Sequence, residues 1–390
     1  MRIVYVITRS DEIGGAHIHV RDFSLALLAQ GHEVTVLAGG SGTFTDELQR
    51  HSIPFVPLRH LQRSIHPVRD VLALAEMRAT LARIKPDLVS THSAKAGWIG
   101  RVAAWSLRIP VIYTAHGWAF TDGVPARQAR LYRWAERAAS AFGDRTITVC
   151  EHDRALALKH SVATAAKMIA VHNGMPDVAP SLQSDAGKAP PRVVMVARFE
   201  QQKDHATALR ALAGLVHLDW ELDLVGDGPN MGDVQRLAAE LGVADRVHFL
   251  GRRRDVAQIL SASQIFILIT NWEGFPRSIL EAMRARLPVI ATAVAGSGES
   301  VAEGSTGFLV PRADVDALRG RLALLLGDAE LRAAMGSAGR RRYEERFLFG
   351  RTLERTVAVY REVLAARSRN PRTATSERGA GRAYPISESP

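Results

Sequence analysis

The sequence predicts an α/β protein with two domains, each a parallel sheet covered by helices, facing a shared cleft. At 390 residues the chain exceeds what one hydrophobic core usually serves. Short β-branched runs alternate with longer amphipathic stretches over most of its length, which is typical of parallel sheets with helices on both faces. The alternation stops at the polar, proline-containing residues 176–191 and then starts again, which predicts a linker.

Short apolar runs predict the strands of both Rossmann-like domains. In the N-terminal domain, residues 1–175, the runs are 2–8, 33–38, 54–57, 88–91, 111–114 and 146–149. In the C-terminal domain, residues 192–345, they are 192–197, 221–225, 247–250, 265–269 and 289–291. Residues 329–366 have a basic helical pattern, whereas residues 367–390 predict a disordered basic tail. Ligands of such sheets bind beyond the carboxyl ends of the strands, so functional residues are expected in the loops that follow strands.

Composition limits the compartment and the classes of partner. The single cysteine, Cys150, excludes an intramolecular disulfide and suits a reducing compartment. No stretch approaches the roughly 20 apolar residues that cross a bilayer, and the first residues turn polar too early for a signal peptide. We therefore expect a cytoplasmic protein. The formal net charge of +10 permits nucleic acid, anionic lipid or phosphorylated small molecules as partners.

Two loops that follow predicted strands suit an anionic ligand. Gly14 and Gly15 let the backbone approach a ligand, and the helix that follows presents free amides. A plain tight turn would explain this loop equally well. In the C-terminal domain, Arg198 and Lys203 lie five positions apart across a turn, where both cations can converge on a diphosphate. Solvated surface charges are the alternative.

The loop after residues 265–269 is the most informative. Glu273 lies in this loop, and Glu281 lies in the first turns of the next helix. Two carboxylates can accept hydrogen bonds from several hydroxyls, which is what a sugar and a ribose offer. Stabilisation of a helix N-terminus would explain Glu281 alone. A glycosidase-like pair is disfavoured, because two residues of one loop–helix unit lie on one side of a ligand.

With its intervening Gly-Phe-Pro, the spacing from Glu273 to Glu281 resembles the E-x7-E signature of glycosyltransferase family 4. The resemblance extends from about residue 2 to 365 and implies the GT-B fold, in which a last helix, here 346–366, crosses back to the N-terminal domain. Glu299 keeps the glutamate of a family loop that usually reads Pro-Glu, but the proline is absent. Further segments in the family's order are Gly14-Gly15, His116-Gly117, Asn173-Gly174, Arg198 with Lys203, Gly226-Asp227-Gly228-Pro229, Gly251 and the loop at 307–311.

The resemblance implies a role for each matching residue. Arg198 and Lys203 hold the donor diphosphate, Glu281 binds the ribose, and Glu273 binds the transferred sugar. His116 lies at the reacting centre, so His116, Glu273 and Glu281 are the expected catalytic residues. Transfer proceeds with retention, without a cofactor or bound metal, because cations and helix N-termini neutralise the leaving diphosphate. The remaining donor-binding residues implied are Gly14, Gly15, Gly226, Gly228, Gly251, Gly274, Phe275 and Pro276.

A narrower resemblance concerns the N-terminal half. Residues 91–101 and 113–120 look like those of bacterial transferases that act on polyprenyl-diphosphate-linked sugars in surface polysaccharide and glycan assembly. This implies a UDP-linked hexose or N-acetylhexosamine as donor. It also implies a lipid-linked acceptor near Lys95 and Arg101. Alternatively, these two residues are structural surface charges.

A lipid-linked acceptor also predicts peripheral attachment to the inner face of an anionic membrane. Residues 123–142 predict a helix after Pro125 that carries Arg127, Arg130, Trp134 and Arg137 on one face. A solvated basic face would give the same spacing.

Three other functions fit part of the pattern. A soluble-acceptor transferase, such as a sucrose-phosphate synthase, shares the donor motifs. A nucleotide-sugar 2-epimerase is disfavoured because its family lacks the E-x7-E layout. Nucleic-acid binding rests on charge alone, since no aromatic-rich basic platform or recognition motif is present.

Overall fold

The computed structural model describes residues 1–121 and 124–369, and its N-terminal domain is built on a seven-stranded sheet. The strands are β1 (Arg2–Ile7), β2 (Glu33–Gly39), β3 (Phe55–Leu58), β4 (Leu88–His92), β5 (Val111–Ala115), β6 (Arg145–Thr148) and β7 (Met168–Ala170). They are all parallel and lie in the order β3-β2-β1-β4-β5-β6-β7. Six helices cover the two faces: α1 (Gly15–Ala29), α2 (Thr43–Arg50), α3 (Pro67–Ile84), α4 (Ala94–Ser106), α5 (Ala126–Ser140) and α6 (Glu151–Lys159).

The C-terminal domain repeats this architecture with six parallel strands. They are β8 (Arg192–Val196), β9 (Glu221–Val225), β10 (Val247–Gly251), β11 (Ile265–Leu268), β12 (Val289–Thr292) and β13 (Gly307–Val310), in the order β10-β9-β8-β11-β12-β13. The helices are α7 (His205–Ala213), α8 (Met231–Glu240), α9 (Val256–Ser261), α10 (Arg277–Arg284), α11 (Ser297–Ser300), α12 (Val315–Gly327), α13 (Ala329–Arg346) and α14 (Phe349–Arg369). Within the described ranges, none of the helices has the length and apolarity needed to cross a membrane.

Strand register brings the ends of neighbouring strands to one edge of each sheet. Ile7 at the end of β1 pairs with Ala38 of β2 and with His92 of β4. In the second sheet, Val196 at the end of β8 pairs with Val225 of β9. Because all neighbours are parallel, the loops that follow these strands share one edge, which is where such sheets bind ligands.

The eleven strands predicted from the sequence are confirmed, each to within one residue at either end. Two edge strands, β7 and β13, were not predicted. Each has only three or four residues, too few to show a pattern. Moreover, β13 begins at Gly307 with φ +154°, so its sequence resembles a turn, and a loop was expected there.

The last helix crosses back to the N-terminal domain, as the GT-B fold requires. Val357, Tyr360 and Val363 of α14 are buried in the core formed by β1, α1 and β2. The helix continues to Arg369, three residues beyond the predicted end at 366, and the rest of the predicted tail lies outside the described residues. Burial of this apolar face accounts for the docking of the helix on the opposite domain.

One carboxyl group is buried without compensation. Asp153, in the first turn of α6, is inaccessible to solvent, and neither carboxylate oxygen has a hydrogen-bond partner among residues 1–121 and 124–369. Burial is the largest cause that raises its pKa to about 7, from an ordinary 3.8. The folded protein therefore keeps this carboxyl protonated at pH values where the unfolded chain has released the proton.

We predict that Asp153→Asn stabilises the protein more at pH 8 than at pH 5. Since the folded-state pKa lies above the unfolded one, wild-type stability falls as pH rises from about 4 to about 7 and stays reduced above that range. Asparagine does not ionise, so the gain should reach on the order of 2–4 kcal/mol at pH 8. Urea unfolding of both proteins at the two pH values measures this difference. An equal gain at both values would contradict the prediction.

Candidate active site

A buried ion pair joins the two domains at the cleft. Arg277, the first residue of α10, donates to the carboxylate of Asp22 on α1 at 2.9 Å and to the carbonyl oxygen of Gly174 at 3.3 Å. The side chains of Arg277 and Asp22 are 10% and 8% exposed. A charge pair so far removed from water depends on both partners, because loss of either would leave the other buried and unpaired.

Glu299 forms a second bridge between the domains. Its carboxylate accepts hydrogen bonds from the backbone amides of Glu151 and His152, at 2.9 and 2.7 Å, and from His172 at 2.6 Å. Burial opposes ionisation, yet these hydrogen bonds hold the pKa of Glu299 below its ordinary value. Glu299 thus caps the N-terminus of α6 from the opposite domain, which is the role that the sequence left open.

The loop of Gly274 lies directly against His116 and Gly117 of the other domain. A Cβ atom at position 274 would lie 2.4 Å from the carbonyl oxygen of His116, so only glycine fits. The next side chain, Phe275, is buried against His172 and Phe347. After Phe275, Pro276 is the N-cap of α10, with no side-chain cap for the first amides of the helix.

The structure brings Lys203 and Glu273 into an ion pair. Their side chains are 13% and 9% exposed. The two loops are tied together by the Gln202 side chain, which donates to the carbonyl oxygen of Trp272 at 2.6 Å. The predicted diphosphate and sugar residues of the C-terminal domain therefore share one wall of the cleft.

Glu281 follows Arg277 by one turn of α10, also near the domain interface. Burial raises the pKa of its carboxyl group, although Arg284 and Arg277 oppose this shift. No residue in the described part of the chain donates a hydrogen bond to its carboxylate. A largely buried carboxylate of this kind can accept two hydroxyl hydrogen bonds from one ligand.

Arg198 reaches toward the N-terminal domain. It contacts Glu12 at 3.1 Å and Glu200 at 3.0 Å, and its side chain remains 43% exposed.

Close packing against the loop of Arg198 explains the two glycines that follow β9. Cβ atoms at Gly226 and Gly228 would lie 2.0 and 2.4 Å from carbonyl oxygens of the loop that carries Arg198.

Of the other glycines predicted to bind the donor, Gly14 and Gly15 lie in the N-terminal domain and Gly251 lies in the C-terminal domain. Gly14 is the N-cap of α1, and a Cβ atom at Gly15 would lie 3.5 Å from the side chain of Arg277. The loop of these two glycines therefore borders the cleft. Gly251 ends β10 with φ +63°, and no described atom lies near its Cβ position.

Three imidazole rings meet at the N-terminal wall of the cleft. His116 follows β5, and its Nε2 lies 2.9 Å from Nδ1 of His92, while His19 packs edge-on against His116. Burial, then the nearby charge of Arg277, lowers the pKa of His116 to about 3, so the ring is neutral at physiological pH. Burial also lowers the pKa values of His19 and His92. Neutral imidazoles this close, within 4.8 Å of one another, are a ligand set that a metal ion could use.

Sequence reasoning missed four residues of this region: His19, Asp22, His92 and Arg277. Signals for two of them were present in the sequence. Arg277 directly follows the Gly-Phe-Pro segment, and His92 directly follows the predicted strand 88–91. Asp22 and His19 lie inside a helix, and only the fold brings them to the cleft.

The structure buries both residues that the sequence predicted at the acceptor, Arg101 and Lys95. Arg101 is 1% exposed, pairs with Glu136 at 2.7 Å and lies over the Tyr113 ring, so it faces the domain interior. Lys95 is 7% exposed, forms an ion pair with Asp70 at 2.5 Å and donates to the carbonyl oxygen of Ser64. Both charges hold helices of the N-terminal domain together and are not presented to the cleft.

A cavity of about 830 Å³ opens at the carboxyl edge of the N-terminal sheet. Three arginines, Arg9, Arg59 and Arg63, line it, together with Tyr132 of α5. Arg9 also contacts Glu12 at 2.9 Å, which links this cavity to the loop beside Arg198. Exposed apolar side chains occur on the neighbouring elements: Ile65 lines the cavity itself, Val68, Val71 and Leu72 lie on α3, and Leu131 and Trp134 lie on α5.

Comparison with known proteins identifies both halves of the chain. Residues 14–174 match the model of the "Glycosyl transferase 4-like domain", and residues 182–342 match that of "Glycosyl transferases group 1". The UDP-Gal:alpha-D-GlcNAc-diphosphoundecaprenol alpha-1,3-galactosyltransferase of Escherichia coli is 28% identical over 337 residues, 82% of this chain and 86% of the relative. The D-inositol 3-phosphate glycosyltransferase of Saccharomonospora viridis is 26% identical and covers 91% of this chain and 90% of its own length.

A solved structure agrees with these matches. The crystal structure of Anabaena Alr3699/HepE in complex with UDP and glucose superimposes with a TM-score of 0.80 over 93% of this chain and 99% of that one, at 22% identity. At this identity the likeness concerns the fold. The likeness shows the GT-B fold, and the two domain matches show that the chain belongs to glycosyltransferase family 4.

Proposed function

We propose that the protein is a retaining, metal-independent glycosyltransferase that moves a hexose or N-acetylhexosamine from a UDP-sugar to a lipid-linked, polyprenyl-diphosphate saccharide. The donor assignment rests on one observation. Arg198, the Lys203–Glu273 pair and Glu281 lie on the C-terminal wall of the cleft, opposite His116. The nearby Arg277 adds a buried positive charge. UDP and glucose bound in the Anabaena relative support uridine as the base.

The cations of the C-terminal wall suit a diphosphate. Arg198 and Lys203 each contact a carboxylate that a phosphate oxygen can replace, since an arginine fork and an ammonium bind both groups in the same manner. When the diphosphate leaves, its developing charge is stabilised by these cations and by the first amides of α10. Glu281 then binds the ribose diol, and Glu273 binds hydroxyls of the transferred sugar.

The family resemblance implies retention, and the placement of the carboxylates supports it. Glu273 and Glu281 belong to one loop–helix unit, so they lie on one side of the sugar and do not flank the scissile bond. His116 on the opposite wall is neutral and can act as a hydrogen-bond donor or acceptor to the sugar. We infer that the acceptor hydroxyl enters from the face that the diphosphate leaves.

We predict that Lys203→Ala and Glu281→Ala weaken UDP-sugar binding by about tenfold or more, because each removes a hydrogen bond to or from a charged group. Glu273→Gln should mainly lower kcat. Calorimetric titration with UDP, beside steady-state rates, separates these effects. Lys188→Ala, an exposed lysine of the linker, is the matched control and should bind UDP normally. Wild-type affinity in Lys203→Ala would refute the diphosphate assignment.

We also predict full activity in the presence of a chelator. An Asp-Val-Asp sequence follows β13, but Asp314 accepts from the amide of Ala317 at 2.8 Å and caps α12, while Asp316 contacts Arg319 at 2.9 Å. Both carboxylates thus have partners at the start of α12, which supports transfer without a metal-bridged diphosphate. Release of UDP is measured with and without EDTA. Complete loss of activity that added Mg²⁺ or Mn²⁺ restores would contradict this prediction.

The proposal of a lipid-linked acceptor rests on this cavity and on the exposed apolar side chains of Ile65, α3 and α5, which are called the apolar rim below. Arg59 and Arg63 supply positive charge for an acceptor diphosphate and replace Lys95 and Arg101 as candidates, together with Arg9, which would exchange its contacts with Asp11 and Glu12 for phosphate oxygens. The exposed apolar side chains beside the cavity suit a polyprenyl chain and the bilayer surface around it. The Escherichia coli relative is named for a diphosphoundecaprenol acceptor, which supports the same reading.

A soluble acceptor is the second candidate. The Saccharomonospora viridis relative is named for inositol 3-phosphate, a small anionic acceptor that the three arginines would also suit. The apolar rim favours the lipid-linked acceptor, because exposed side chains such as Trp134, at 69%, and Val71, at 67%, have no use in binding a small polar molecule.

We predict that the protein sediments with anionic vesicles through the face that carries this rim. The predicted helix is present as α5, and Arg127, Arg130 and Trp134 are exposed on it, whereas Arg137 is held by two backbone carbonyls. Binding should require anionic lipid, fall with salt, and decrease about tenfold or more in Arg127→Glu/Arg130→Glu. Co-sedimentation with phosphatidylglycerol vesicles measures it.

The control for this experiment carries the same change of charge elsewhere. Arg210→Glu/Arg236→Glu alters two exposed arginines of the C-terminal domain and should bind as the wild type does. Equal losses in both double variants would attribute binding to net charge alone. If the wild type stays in the supernatant at low salt, both the membrane face and the lipid-linked acceptor lose their support.

A further inference from the structure

A buried line of hydrogen bonds connects the returning helix α14 to His116 in the cleft. The hydroxyl of Tyr360 donates to Ser90 Oγ at 3.1 Å. Ser90 Oγ lies 3.1 Å from Nε2 of His92, and Nδ1 of His92 lies 2.9 Å from Nε2 of His116. These four residues come from α14, β4 and the loop after β5 and are called the relay below.

The relay has one consistent direction. Because Tyr360 donates to Ser90, the hydroxyl proton of Ser90 is directed to its other partner, Nε2 of His92. A neutral imidazole has one N–H, so His92 carries its proton on Nδ1 and donates it to Nε2 of His116. His116 is then protonated on Nδ1. Its remaining ring N–H is therefore a donor that can serve a ligand in the cleft.

The surroundings of the relay exclude water. Tyr360, Ser90 and His92 are 1% exposed or less. Polar groups beside it are Tyr5, whose hydroxyl lies 3.3 Å from that of Tyr360, His19, which packs on both imidazoles, and the charged Arg277, which acts on His116. Burial keeps the pKa values of both imidazoles below their ordinary values, so neither ring becomes charged at physiological pH. The remaining variable is which of the two ring nitrogens carries the proton in each imidazole.

We propose that Tyr360, through Ser90 and His92, is a positioning residue that fixes His116 in the Nδ1–H tautomer required for transfer; this rests on the proposed placement of His116 beside the donor sugar. Tyr360 is carried by a helix that begins in the C-terminal domain and docks on the N-terminal one. His116 is therefore correctly protonated only when α14 is docked. Fixed neutral histidines that donate hydrogen bonds are an established device of enzyme sites.

The same imidazoles could also bind a metal ion, and the contacts favour the relay. A metal would need a free ring nitrogen from each histidine. Both ring nitrogens of His92 already have partners, Ser90 and His116, at hydrogen-bond distances. Coordination by His92 would break one of these bonds and leave a buried polar group unpaired.

The test compares two Tyr→Phe variants that differ only in their contact with the relay. Tyr360→Phe loses the bond to Ser90, whereas Tyr5→Phe loses the Tyr5–Tyr360 bond and leaves Tyr360 donating to Ser90. The tautomer of His116 is measured by nitrogen NMR of protein with ¹⁵N-labelled histidine, and its signals are assigned with His116→Gln. Rates and KM for the UDP-sugar are measured on the same samples. Ser90→Ala provides a second break in the relay.

We expect wild type and Tyr5→Phe to show His116 as the Nδ1–H tautomer with similar kcat. Tyr360→Phe and Ser90→Ala should show a mixture of tautomers and a kcat about tenfold lower, with donor KM unchanged. An Nε2–H tautomer in the wild type, an unchanged tautomer in Tyr360→Phe, or an equal loss of kcat in Tyr5→Phe would overturn the relay. The NMR measurement needs no substrate, so a wild type that transfers no sugar would refute the proposed function and still leave the relay decided.

Discussion

The contact between the loop of Gly274 and the backbone of His116 and Gly117 is the constraint on which the cleft depends. A Cβ atom at position 274 would collide with the His116 carbonyl oxygen, so the two domains approach this closely only through glycine. Because α10 begins three residues later, the same contact sets the position of Arg277 relative to Asp22. The ion pair then ties the loop of the C-terminal domain to the first helix of the other domain.

The cations Arg198, Lys203 and Arg277 are each paired with a carboxylate. Lys203 holds Glu273, Arg198 holds Glu12, and the buried charge of Arg277 helps to keep His116 neutral. Pairing limits the cost of removing these groups from water, since an unpaired buried charge is strongly destabilising. In the proposed function, a nucleotide diphosphate replaces these carboxylates, because its oxygens accept hydrogen bonds from the same cations.

Long-range packing also connects the two faces of the protein. The helix α14 leaves the C-terminal domain, buries an apolar face in the N-terminal core and brings the Tyr360 hydroxyl to Ser90. At the carboxyl edge of the same sheet, the arginine-lined cavity is formed by the loops that follow β1, β2 and β3 and by Tyr132 of α5. His116 and the proposed membrane face therefore belong to the N-terminal sheet, whereas the donor wall belongs to the C-terminal sheet; in each sheet, parallel strands bring the loops to one edge.

The sequence by itself determined the two sheets and the main donor loop, because strand patterns and the Glu273–Glu281 segment are local. Only the tertiary structure decided which charges reach the cleft. Arg101 and Lys95 were expected at the acceptor, but their partners Glu136 and Asp70 lie 35 and 25 positions away, and the sequence does not reveal that such charges are buried. The relay depends on Tyr360 meeting Ser90 across 270 positions of the chain. Contacts of that range leave no periodic signal, since they exist only once the helices have packed on the sheets.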